Sequence, residues 1–259
     1  MVLTTAQIAA WIGVYWWPFV RIGSMLLVAP VFGARMVPAR LRVLLTLALT
    51  WLVAPLLPET PAIDPFSPSA LVIAIPQVLI GIAMGLVLQL VFAAVVLGAQ
   101  LLAMSMGLGF ASMIDPQNGV HVPVVSQYYL VLATLIFLAL DGHLVLVSVL
   151  ADSFQTLPVG TTGLSPGGLW SLVAWGSHLF AGGVLIALPV VTATLVTNIA
   201  FGVITRAAPQ LNIFAVGFPV TMLVGFMAMM GTLAYLAPQV STLLLDAYEL
   251  MRLLTLGDR

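Results

Sequence analysis

The chain has no cysteine and no lysine, and charge of either sign is scarce. Without cysteine there are no disulfides, no thiolate metal ligands and no thiol nucleophile, although the compartment stays open. All seven cations are arginine, and charged residues make up 6% of the 259 residues, against about 25% in soluble domains. No Asp, Glu, Lys or Arg occurs in 65–114, 153–205 or 207–245, and each stretch exceeds the roughly 20 apolar residues that cross a bilayer. A soluble globular fold is excluded; this is an integral membrane protein. The net charge of −1 offers no basic patch, so nucleic acid is excluded as a partner. The N-terminus, MVLTTAQIAAWIG, lacks the basic start of a signal peptide and is read as retained.

What is present is apolar sequence in six blocks, roughly 6–33, 43–57, 70–106, 122–150, 171–205 and 213–248. They predict an all-α, polytopic chain with membrane lipid around it. Block 70–106 would make a straight helix of about 55 Å, against a hydrocarbon core of about 30 Å. Blocks 171–205 and 213–248 are overlong in the same way. They must kink, extend beyond the lipid or fold as hairpins, and Pro76, Pro189, Pro219 and Pro238 offer bends. Arg35, Arg40 and Arg42 concentrate positive charge at 34–42, which places that connector in the cytoplasm and the N-terminus outside. Six crossings would also put the C-terminus outside, against Arg252 and Arg259, so the topology stays open. With no repeat and no soluble segment, 1–259 reads as a single membrane domain.

Catalytic readings fail one by one. Ser177 and His178 are adjacent, and neighbours on a helix point about 100° apart, so no Ser–His hydrogen bond is expected. Asp141 and His143 in LDGH read as a helix break rather than metal ligands. GLGFAS (107–112) nearly spells a dinucleotide fingerprint but follows no strand, so no cofactor is expected. The chain is not read as an enzyme. Arg21, inside an apolar block, is expected to pair with a carboxylate of a neighbouring helix or to snorkel to an interface marked by Trp16 and Trp17. Gly81 and Gly85 form a G-x-x-x-G pair that lets helix backbones approach, within the chain or towards another subunit. Met104, Met106 and Met113 flank the most irregular stretch, and Met222, Met227, Met229 and Met230 read as core filling.

That irregular stretch is GLGFASMIDPQNGVHVP (107–123). Gly107 and Gly109 weaken the helix and permit positive φ. Pro116 ends helix and biases Asp115 towards extended geometry, and Gln117-Asn118-Gly119 signals a turn. Phe110, Ala111, Ser112, Met113 and Ile114 then form an apolar tip on irregular backbone. Such backbone at membrane depth is tolerated only inside protein or lining a water-filled cavity.

Three segments carry a family resemblance: RIGSMLLVAPVFGARMVPARLRVLLTLAL (21–49), GLGFASMIDPQNGVHVPVVSQYY (107–129) and RAAPQLNIFAVGFP (206–219). In them, and in its order of blocks, the chain resembles the FliR family of flagellar export-gate proteins, whose injectisome counterparts are the SctT family. The resemblance implies long, kinked helical hairpins within a helical, conical assembly in the bacterial inner membrane at the flagellar basal body. It implies one copy of this chain beside FliP and FliQ subunits, contact with FlhB, and passage of unfolded flagellar proteins. The loop at 107–121 would be a plug. Phe110, Met113 and Ile114 would form its seal, Gly107 and Gly109 its hinge, and Asp115 to Gly119 its return. Arg206, Pro209, Asn212, Phe214, Gly217 and Pro219 would join Gly81 and Gly85 as packing positions. The rivals are the injectisome gate and a self-contained secondary transporter.

Overall fold

The structure, a computed structural model, describes residues 5–34, 37–57, 63, 67–109, 124–208 and 213–256, with backbone alone at 5–11 and 213–215. The described residues are mostly helical and include no strand. The helices are α1 (Thr5–Val28), α2 (Ala39–Val53, continued by a 3-10 turn Ala54–Leu56), α3 (Pro68–Ser105) and α4 (Val124–Ala139). They continue with α5 (Gly142–Thr156), α6 (Pro166–Ala174), α7 (Gly176–Ala207) and α8 (Ile213–Leu256). Four helical stretches are long and apolar enough to cross a membrane, five if α4 and α5 count as one broken span. The chain is an all-α polytopic membrane protein.

The overlong blocks resolve differently from one another. α3 and α8 stay continuous for 38 and 44 residues, roughly 57 and 66 Å, with their prolines inside the helix. Block 171–205 instead splits after Ala174, and its first piece begins earlier, at Pro166. Ser165 caps that start by accepting from the Gly168 amide at 3.0 Å, and proline suits the first turn because its missing N–H would be unpaired there anyway. Block 122–150 breaks at Asp141, where the backbone turns left-handed at φ 53°. The expected break is there, yet the turning residue is the aspartate and not Gly142, which already belongs to α5. Among residues with a side chain, Asp is one of the few that visit this conformation readily.

Contacts gather into two units. The first comprises residues 1–90, 141–176 and 244–259. Within it α1 packs on α2 and lays Trp17, Arg21, Ile22, Met25 and Ala29 inward, each fully buried. Gly81 and Gly85 of α3 face that helix: a Cβ at Gly81 would strike Ser24 Oγ and the Arg21 carbonyl, and one at Gly85 would lie 2.7 Å from the Met25 carbonyl. After α1, Val31 sits at φ 72°, a strained conformation for a β-branched residue. Arg42 holds this connector by donating to the carbonyls of Phe32 at 3.2 Å and Ala34 at 3.3 Å. Tyr248 of α8 donates to the Gly142 carbonyl at 2.8 Å, fixing the start of α5.

The second unit comprises 91–140 and 177–243. Here the end of α3 meets α7 through Gly98 and Gly183, where an added Cβ would come within 2.7 Å of the Gly183 carbonyl or 3.0 Å of the Ala94 carbonyl respectively. Phe92 and Phe137 pack edge to face at 5.8 Å. α7 and α8 are linked by Thr221, whose hydroxyl donates to Asn198 Oδ1 at 2.9 Å. The late methionines fill this core only in part: Met222 and Met229 are half-buried, while Met227 and Met230 are exposed. The first half of α8 turns its small residues inward, Gly217, Thr221 and Gly225 at four-residue spacing, and the side chain of Met106 fills the room over Gly225.

Candidate gate segment and its supports

The irregular stretch begins with a defined turn. α3 ends at Ser105, and Gly107 donates to the Met104 carbonyl at 3.0 Å while Leu108 donates to that of Ala103 at 3.0 Å. This pair of bonds, with Gly107 at φ +81°, is a Schellman stop, which satisfies carbonyls that a helix end leaves open. Gly107 was expected to loosen the helix; it terminates it. A Cβ there would lie 2.6 Å from the ring of Phe218 on α8, so conformation and close approach both demand glycine. Gly109 has room, its nearest side-chain neighbour being Met104 at 3.6 Å from a built Cβ.

Phe110, Ala111, Ser112, Met113, Ile114, Asp115, Pro116, Gln117, Asn118 and Gly119 lie outside the described residues, as do Pro209 and Asn212. Of the other packing candidates, Gly217 is buried, Arg206 and Pro219 are exposed, and the Phe214 side chain is not among those described. Gly81 and Gly85 lie against α1 in the same chain. Ser177 Oγ and His178 Nδ1 are 3.4 Å apart on the exposed first turn of α7, so the expectation that they could not meet is corrected. Side-chain rotation at a helix start closes the gap that the 100° offset opens. The distance is still longer than the 2.6–3.2 Å typical of an activated nucleophile.

Arg21 departs most from expectation. Neither a carboxylate nor an interface receives it; the side chain is fully buried and held by neutral acceptors. Its Nε donates to Gln77 Oε1 at 2.9 Å and a second nitrogen, Nη2, reaches the same oxygen. Nη2 also donates to the Leu157 carbonyl at 2.9 Å, and Nη1 donates to the Ser153 carbonyl at 2.9 Å and to its Oγ at 3.1 Å. The guanidinium carbon sits 4.0 Å from the centre of the Phe154 ring. Five N–H donors thus find five bonds. The two carbonyls belong to the last turn and cap of α5, the negative end of a helix dipole, which is where a cation is favoured. The helix end does the work assigned to a carboxylate. Sequence reasoning marked Arg21 but missed Gln77, Ser153, Phe154 and Leu157; only Gln77, a lone amide in the apolar first half of α3, gave a signal.

The fold and these features define a multi-pass α-helical membrane protein built around buried polar and glycine contacts. Residues 12–247 match the family described as bacterial export proteins, family 1. The chain is 38% identical over 249 residues to the flagellar biosynthetic protein FliR of Escherichia coli K12, covering 96% of this chain and 95% of that protein. It is 40% identical over 243 residues to FliR of Pectobacterium carotovorum, with 93% and 92% covered. Aquifex aeolicus FliR is 30% identical over 231 residues, 89% of each chain. The chain therefore belongs to the bacterial export protein family 1. Its apolar helices and this membership make it a multi-pass protein of the inner membrane.

Proposed function

We propose that the chain is a subunit of the flagellar type III export gate, one copy assembling with FliP and FliQ subunits and contacting FlhB. It is a component of flagellar export. Its part there is to form and close the channel through which unfolded flagellar proteins are exported across the inner membrane, by gating and without catalysis. The whole chain acts as one membrane domain, and 107–121 is its plug. One observation carries the gating reading: α3 stops at Gly107 by a fixed turn, while the sequence stays uncharged up to Asp115. An apolar tip starting from a fixed base suits a seal, because weak apolar contacts exclude ions and still yield to a passing chain. In this reading Phe110, Met113 and Ile114 seal, and Asp115 to Gly119 return the chain to α4.

The test is conductance. Phe110→Ala combined with Met113→Ala should raise ion leakage through the assembled complex while some motility remains. Unchanged conductance in that double variant, with the complex assembled, would remove the plug from the mechanism. Native mass spectrometry of the chain co-expressed with FliP and FliQ should show one copy in a larger hetero-oligomer; a lone monomer or homodimer would overturn the assembly.

A further inference from the structure

In the second unit a cleft of about 350 Å³ opens among α4, α7 and α8, lined in part by Tyr129, Leu185, Pro189, Thr232, Tyr235 and Gln239. We propose that this cleft holds water within the apolar body of the protein. Three observations converge on it. First, Thr232, Tyr235 and Gln239 stand on one face of α8 at three- and four-residue spacing near the middle of a 44-residue helix, and polar side chains inside a membrane bundle face its interior or a water-filled space. Second, Pro189 lacks the amide hydrogen that α7 would have directed at the Leu185 carbonyl, so an acceptor on the cleft wall has no helical donor. Third, α4 brings the side chain of Tyr129, a polar-tipped residue, to the cleft wall opposite α7 and α8.

A buried polar group left unpaired costs about 1–3 kcal/mol, and a water with two to four polar neighbours removes that cost. At about 30 Å³ each, the cleft has room for several. A second hollow supplies the contrast. A groove of about 710 Å³ in the first unit is walled by Ile12, Tyr15, Trp16, Phe19, Leu47 and Trp51 beside Thr50. The hydroxyls of Thr50 and, in the cleft, of Thr232 each donate to a carbonyl of their own helix, at 2.7 and 3.1 Å, so the contrast rests on the Gln239 amide, which has no counterpart in the groove. That groove gives water little to bind; the cleft offers it the Gln239 amide and the Tyr129 and Tyr235 side chains.

The natural absence of cysteine makes the test free of background. Thr232→Cys and Gln239→Cys are placed singly in the full chain, in its own membrane beside its own partners. They are treated with a negatively charged methanethiosulfonate reagent, and adduct formation is followed by mass. Thiolate is the reacting form and needs water, so both sites should react roughly tenfold or more faster than Leu188→Cys, an exposed apolar position on α7. Should either variant fail to accumulate, Tyr235→Cys, on the same wall and largely exposed, replaces it. Reaction at either cleft site no faster than at Leu188→Cys overturns the proposal. Because the readout is mass and not motility, the result stands whether or not the flagellar assignment does.

Discussion

α3 crosses another helix twice through glycine, and the two crossings are made differently. In the first unit Gly81 and Gly85 meet α1 next to a buried cation with five hydrogen bonds. In the second, Gly98 meets Gly183 of α7 with only apolar side chains around it, and the helix then stops at Gly107. The same sequence element is thus bolted at one half and merely packed at the other. Directional bonds to a charge resist sliding, because any shift leaves a desolvated cation short of acceptors. Apolar contact in lipid has no such penalty, since neighbouring lipid is as apolar as the partner helix. The half of α3 beside the candidate gate is therefore the half whose contacts constrain it least.

Breaking the bolted half should have the largest effect. Gln77→Ala removes two hydrogen bonds to the Arg21 guanidinium and should cost roughly 3 kcal/mol or more, read as a fall in the thermal midpoint of the purified complex or loss of the chain from the membrane. Gln77→Glu sharpens the point, since a carboxylate keeps the acceptor and neutralises the charge, and should retain folded protein. If Gln77→Ala were as stable as the parent, the distinction between the halves would collapse.

Next comes the stop at Gly107. Gly107→Ala forces a side chain to positive φ, at about 1–2 kcal/mol, and against the Phe218 ring. Adding Phe218→Ala should recover the steric part and leave the conformational part, a non-additive pair in a double-mutant cycle. Strictly additive losses would show that the ring does not hold the turn. The smallest effect should come from Thr221→Val, which removes one neutral hydrogen bond to Asn198 and should cost about 1 kcal/mol, measured the same way. A loss as large as that of Gln77→Ala would show that the second unit has a polar bolt of its own.

Much of the architecture was legible. The charge-free runs implied membrane helices, the Asp141-Gly142 pair implied a break, and the block ending at 106 placed the end of α3 to within a residue. The mistakes have a common origin. Arg21 was expected to find a carboxylate or snorkel to an interface because side chains are what a sequence displays; the carbonyls of Ser153 and Leu157, at the end of α5, are invisible in it. The late methionines were expected inside because they are apolar, but Met227 and Met230 face outward, since in a membrane protein apolar residues belong on both sides of a helix. Gly217, Thr221 and Gly225 outcompeted them for the inner face because small residues let the backbone come close.

The sequence by itself determined the class, the approximate helices and the breaks, because these follow from hydropathy, length and local backbone chemistry. Which face of each helix lies inward, what receives the charge of Arg21, and which polar groups gather at the α7–α8 cleft were decided by tertiary structure alone. A helix apolar all round carries no periodic mark of its packed face. The choice is made by the shapes and unpaired polar groups that its neighbours present.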